Sequence, residues 1–196
     1  QRLTDAINAR TRAIVVNSPH NPTGAVLSHD ELEQLARLVE SQNIYIISDE
    51  VYEHMTYNGV AHESLCRNDV LRQRTFVISS FGKTYHATGW KVGYCLAPEA
   101  LTAEFRKVHQ FVTFTTHTPS QWAIADFLAN HPEHHEQLPA FYEKKRDLFI
   151  EAIEDLDFTI SPSRGTYFQL VGYEGLSNLA DKEFTTTLTQ DAGVAA

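Results

Sequence analysis

Apolar residues come in short runs along the chain, separated by polar stretches rich in proline and glycine. Residues 3–9 read as the end of a polar helix. Ala13-Ile14-Val15-Val16 is the first run, and Asn17-Ser18-Pro19 stops it. Ile44-Tyr45-Ile46-Ile47, Thr75-Phe76-Val77-Ile78 and Val92-Gly93-Tyr94-Cys95-Leu96 follow. Each run is continuous rather than alternating, which predicts strands buried on both faces of a mostly parallel sheet. Between the first two runs, Ser28 and Glu31 have the spacing of a capping box. Leu32, Leu35, Ala36 and Val39 then share one helical face. Strand, helix and strand in alternation predict an α/β class.

After Pro98 the pattern turns helical, with helices predicted over 99–112 and 119–130. One long helix is expected from Pro132 to about Leu156, because proline is tolerated in a first turn. Short strands are expected over 157–160 and 166–171, split by Ser161-Pro162-Ser163-Arg164-Gly165. A last helix spans 181–191, with Gly193 as its stop. The expected boundary lies inside the long helix near residue 140. It separates a larger unit, 1–140, from the start of a smaller one, 141–196.

Composition narrows the function classes. Sixteen Lys and Arg stand against 25 Asp and Glu, a net charge of −9. That balance repels nucleic acid and anionic lipid, so neither is an expected partner. No apolar stretch approaches the ~20 residues of a membrane span. The two cysteines, Cys66 and Cys95, have no C-x-x-C spacing. A reducing, cytoplasmic setting is therefore expected rather than a disulfide framework. The chain opens with Gln1 rather than Met, which leaves room for a preceding segment.

Polar clusters sit just past the ends of the predicted strands, the edge of an open α/β sheet where ligands bind. Ser18-Pro19-His20-Asn21-Pro22-Thr23-Gly24 is the first, and taken alone it reads equally as a rigid turn. Ser48-Asp49-Glu50-Val51-Tyr52-Glu53 is the second, where the carboxylate reads as a helix cap or as a fixed anion. Ser79-Ser80-Phe81-Gly82-Lys83-Thr84-Tyr85 is the third. Its Gly-Lys-Thr lacks the glycine a P-loop needs five positions earlier, since residue 77 is Val. What remains is a lysine placed just beyond a buried strand, with Lys91 eight residues on. His131, His134 and His135 could ligate a metal, but a polar, proline-containing helix start favours a solvated face. No G-x-S-x-G or G-x-G-x-x-G occurs, so a serine hydrolase or a Rossmann dehydrogenase lacks its usual signal.

In this order and spacing, the clusters resemble one family. The matching elements are Asn21-Pro22-Thr23-Gly24, Ser48-Asp49-Glu50-Val51-Tyr52, Ser80-Phe81-Gly82-Lys83, and Thr88-Gly89-Trp90-Lys91-Val92-Gly93, with Gly165-Thr166-Tyr167-Phe168 near the end. The chain is similar over essentially its whole length to the fold-type I pyridoxal phosphate (PLP) aminotransferases of class I/II. The likeness is strongest to the methionine-preferring bacterial enzymes and the kynurenine/glutamine transaminases. The resemblance implies that Lys83 holds PLP covalently and then moves a proton. It implies that Asp49 pairs with the pyridine nitrogen, and that Tyr52 and Asn21 bond the ring's 3-oxygen. Asn21 would also touch the substrate carboxylate. Ser80 and Lys91 would hold the phosphate. Aspartate aminotransferases have Arg at the Lys91 position, whereas the kynurenine-transaminase branch has Lys. Phe114 resembles a residue that reaches into the substrate pocket of a dimer partner.

The same resemblance places the family's ring-stacking aromatic and phosphate-binding helix before residue 1, and its carboxylate-binding arginine after residue 196. The chain is thus expected to be the middle of a longer, homodimeric enzyme. That enzyme would carry an amino group from a methionine-like or aromatic amino acid to a 2-oxo acid. A PLP-dependent C–S lyase and a PLP-binding regulatory module without turnover are the alternatives.

Overall fold

The computed structural model describes residues 3–195. A short helix, α1 (Leu3–Ala6), precedes β1 (Ala13–Asn17). Helix α2 (His29–Glu40) opens on the expected capping box. Ser28 Oγ accepts from the Glu31 N–H, and the Glu31 carboxylate accepts from the Ser28 N–H at 2.9 Å. Leu32, Leu35, Ala36 and Val39 are all buried, and with Ile14 and Ile46 they make the main core. Strand β2 (Tyr45–Asp49) is followed by a 3-10 turn at Leu65–Arg67 and by α3 (Asp69–Arg72). Then come β3 (Thr75–Ser80), α4 (Phe81–Thr84), a 3-10 turn at Thr88–Trp90, and β4 (Gly93–Leu96).

The sheet runs β1-β2-β3-β4 in order. The first two pairings are parallel and β3–β4 is antiparallel. The mostly parallel α/β expectation therefore holds, but full burial of both faces does not. Ile14, Ile46 and Val77 face α2 or the interior, while Val15, Tyr45 and Ile78 lie at the opposite parity and stay exposed. Val15 is 71% exposed. Helix α5 (Glu99–Val112) meets this second face at Phe76, whose ring lies 6.5 Å from that of Phe105.

Helices α5 (Glu99–Val112) and α6 (Thr118–Asn130) match their predicted spans. The long helix from Pro132 does not form. Residues 134–137 make a 3-10 turn, and α7 runs Leu138–Ile153 with proline in its first turn. Pro139 is the cause. Inside a continuous helix it would lack its N–H bond and clash with the carbonyl four residues back, so the helix starts anew around it.

The strand expected over 166–171 shrinks to β6 (Val171–Gly172), paired with β5 (Thr159–Ile160). Residues 165–168 instead bond sideways to the loop after β2, through Thr166 N–H to Met55 O at 2.8 Å and a Thr56–Gly165 bridge. Helix α8 (Asp181–Ala192) ends at Gly193 in the left-handed conformation, as expected. Among the described residues, no helix is long and apolar enough to cross a membrane.

Candidate active site

Parallel pairing brings the ends of β1 and β2 side by side, with Asn17 opposite Asp49. Asn17 Nδ2 donates to the Asp49 carbonyl at 3.0 Å, and Asn17 Oδ1 accepts from the Asn21 N–H at 2.9 Å. The loop carrying Asn21 is thereby pinned onto the strand that carries Asp49. Its far side is fixed by Gly24, which has φ +68°, donates to His20 O, and accepts from Arg164 N–H. A Cβ there would sit 2.1 Å from Ser163 Oγ, so only glycine permits this approach. Asp49 Oδ1 accepts from the Val51 N–H at 3.2 Å and starts the turn that delivers Tyr52.

Tyr52 is 2% exposed. Its ring stands edge-on to Tyr167 at 5.3 Å and to Phe168 at 6.0 Å, and its hydroxyl reaches the Tyr167 hydroxyl at 3.4 Å. Burial pushes the Tyr52 phenol well above its usual range. The bond to Tyr167 and the nearby Asp49 charge push it further the same way. Lys83 sits in α4, directly after β3, and its Nζ lies 5.7 Å from the centre of the Tyr167 ring. Two elements far apart in sequence from each other and from Tyr167 thus converge on one tyrosine.

The role of Tyr167 was not legible in the sequence. It depends on Thr166, a β-branched residue at φ +67° and fully buried. That conformation costs about 1–3 kcal/mol, and the bond from Thr166 N–H to Met55 O offsets part of it. Beyond Tyr167 opens a cavity of about 680 Å³, lined by Tyr57, His86, Tyr142, Arg146 and Phe168 among others.

Ser80 caps α4, its Oγ accepting from the Gly82 N–H at 3.1 Å. The Val92 carbonyl accepts from the Phe81 N–H and, at 3.4 Å, from Ser80 Oγ. Lys91, exposed and left-handed at φ +55°, precedes Val92 directly, so Ser80 and Lys91 flank one short stretch of backbone. Phe114 is not brought to this cluster. It stands 79% exposed beyond α5 at φ +64°, and its ring pairs with no other aromatic among the described residues.

The sequence profile of "Aminotransferase class I and II" matches residues 1–196. The chain belongs to the class I and II aminotransferases. It is 46% identical to methionine aminotransferase of Escherichia coli (strain K12) over 196 residues, covering all of this chain and 51% of that protein. It is 34% identical to kynurenine–oxoglutarate transaminase of Dictyostelium discoideum, covering 96% of this chain and 44% of that one. The crystal structure of YbdL from Escherichia coli, which identified a methionine aminotransferase function, superposes with a TM-score of 0.96 at 47% identity. That match covers 98% of this chain and 51% of YbdL. The chain spans about half the length of the curated relatives it matches.

In this aminotransferase chain, Glu50, next to Asp49, is committed to structure. It is 1% exposed and accepts from Ser48 Oγ at 2.9 Å, from Leu65 N–H at 3.1 Å, and from His62 Nε2 at 2.8 Å. Burial alone would raise its pKa. The His62 bond and charge, with Ser64 and the Leu65 N–H, outweigh burial and hold the carboxyl below the usual range. A depressed carboxyl contributes stability above its ordinary pKa and loses it as pH falls through the lowered value. Glu50→Ala is expected to cost about 3 kcal/mol at neutral pH, because Leu65 N–H and His62 lose a buried partner. Denaturant titrations of both proteins from pH 7 down to pH 3 should show the gap narrowing as pH falls.

The histidines after α6 depart from the solvated face expected of them. His134 and His135 are half-buried, His134 against Tyr85 and His135 against His54. His131 remains exposed beside Phe127. They form no three-ligand cluster among the described residues. Glu50, Glu53 and His62 do come within ligand reach of one another, but Glu50 and His62 are already paired, and Glu53 accepts from Ser79 and Tyr94.

Proposed function

We propose that the protein is a PLP-dependent aminotransferase, transferring an amino group from a methionine-like or aromatic amino acid to a 2-oxo acid. The observation that carries this reading is the convergence of Lys83, Asp49 and Tyr52 at the carboxyl ends of β2 and β3. Among the described residues, no ion pair engages Asp49, Lys83 or Lys91. A free carboxylate, a free amine and a buried phenol fit a protonated pyridine nitrogen, a carbonyl carbon and a ring oxygen. Ser80 and Lys91 add a hydroxyl and a point charge that suit a phosphate.

Bound there, PLP supplies a reactive carbonyl and a sink for the electron pair left when the Cα–H bond of an amino acid breaks. Asp49 holds a proton on the ring nitrogen by its negative charge. Tyr52, buried and disposed to stay protonated, donates from its hydroxyl rather than adding a second anion beside Asp49. Lys83 would anchor the cofactor at its carbonyl carbon and, once its amine is free, would take the Cα proton on Nζ. Asn21 orients the ring oxygen and the substrate carboxylate.

A homodimer is part of the proposal, supported by Phe111, Val112, Phe114 and Trp122, each more than 70% exposed on α5, α6 or the turn between them. The free Cys66 and Cys95 support a reducing, cytoplasmic setting. The test is a coupled assay of the full-length protein with PLP, L-methionine and a 2-oxo acid. Methionine loss that requires the oxo acid supports transamination. Release of pyruvate and ammonia from a cysteine conjugate with no oxo acid present would point to a lyase instead.

A further inference from the structure

We propose that His134 is a positioning residue for Lys83, an inference that rests on the reading of Lys83 as the reacting lysine. Helix α4 has only four residues, too few to satisfy its own backbone. The Phe81 carbonyl accepts from Tyr85 N–H, and the Gly82 carbonyl accepts from Thr88 Oγ1 at 3.1 Å. The carbonyl of Thr84, next to Lys83, accepts from His134 Nε2 at 3.0 Å, across 50 residues of sequence. Thr84 is 3% exposed, so no solvent stands ready to replace that donor.

A carbonyl only accepts, so Nε2 carries the hydrogen. The neutral Nε2–H tautomer and the imidazolium both make this bond. The ring is held from three sides. It stacks on Tyr85 at 5.5 Å and 27°, and meets Phe127 at 5.3 Å and His86 at 5.8 Å edge-on. Four residues on, Leu138 is 3% exposed and packs with Tyr52 and Met55. The 134–138 segment therefore touches the Lys83 turn at one end and Tyr52 at the other. Lys83 and Tyr52 also meet the same Tyr167 ring from different elements. A segment fixed at both ends sets the spacing between the amine and the phenol, and His134 is the end that holds the amine.

Two substitutions separate the hydrogen bond from the packing. His134→Phe keeps a stacking ring and removes the donor. His134→Gln places an amide N–H near the Nε2 position and removes the ring. In the full-length protein with PLP, His134→Phe is expected to lower kcat about ten-fold with KM within about two-fold, because the amine is displaced rather than the substrate. Reductive trapping of PLP on Lys83 by borohydride, without substrate, should slow in parallel. His134→Gln should restore both.

Wild-type kcat and trapping in His134→Phe would overturn the inference, as would a Gln variant as impaired as the Phe one. Should His134→Phe fail to fold, His134→Asn decides, since its shorter amide cannot reach Thr84 O. Impairment relative to Gln supports the inference, and equality with Gln overturns it. If the wild-type protein traps no PLP on Lys83, the aminotransferase reading itself falls and takes this inference with it. Normal wild-type trapping with indifferent variants removes only the role of His134.

Discussion

Replacing Lys83 with alanine is expected to lower turnover of the full-length protein by about four orders of magnitude, because one amine serves both as covalent anchor and as proton carrier. The fold should survive. Lys83 is half-exposed and makes no ion pair among the described residues, and its amine lies over the face of Tyr167. Losing that contact costs about 0.5–1 kcal/mol, so the melting temperature should barely move. α4 keeps its Ser80 cap and its bond to His134, since neither uses the Lys83 side chain. Borohydride reduction followed by peptide mapping gives the direct test. Label on Lys83 in the wild type, with none in the alanine variant, is the expected result. Label on Lys91 or any other lysine would show that the amine at the end of β3 is a bystander.

The parts of this chain legible in its sequence were those governed by neighbouring residues. The Ser28–Glu31 box, the face of α2 and the Gly193 stop each depend on contacts within a few positions, and each forms as read. The strands were found because continuous apolar runs survive any choice of partner. What failed depended on residues weighed in isolation. Pro132 drew attention as a helix start while Pro139, seven residues on, forbade the helix it would have begun. The run 166–171 has strand composition, yet Thr166 is turned to positive φ by a bond to Met55, 111 positions away. Long separations also hid the roles of Tyr167 and His134, whose partners Tyr52 and Thr84 lie 115 and 50 positions away. A tyrosine and a histidine carry no local mark of the lysine they will face, and only the folded chain supplies it. The clusters carrying Asn21, Asp49 and Lys83 could be placed at one sheet edge because parallel topology brings strand ends together, while their roles rested on the family resemblance.

Asp49→Asn separates the two meanings of a carboxylate at a strand end. The side-chain oxygen that accepts from Val51 N–H at 3.2 Å survives in asparagine, so the turn leading to Tyr52 keeps its bond. Asn17 and Ser18 bond to the Asp49 main-chain carbonyl, which the substitution leaves alone. Only the charge is lost. If Asp49 were a cap and nothing more, stability and kcat would both stay near wild type, since asparagine caps about as well as aspartate. If its charge keeps a pyridine nitrogen protonated, the ring still fits but withdraws electrons poorly. Affinity for PLP is then expected to fall only about ten-fold, the worth of one charge-assisted hydrogen bond. The loss in kcat should reach about 10³-fold, because electrostatic stabilisation matters most where charge develops. The removed anion is also one of the causes holding the Tyr52 phenol high, so the variant's phenol should titrate at lower pH than the wild type's. The measurements are equilibrium PLP binding, single-turnover kinetics with L-methionine, and thermal unfolding of the cofactor-free protein. A kcat loss no larger than the affinity loss would reduce Asp49 to a structural residue and leave Lys83 without its electronic partner.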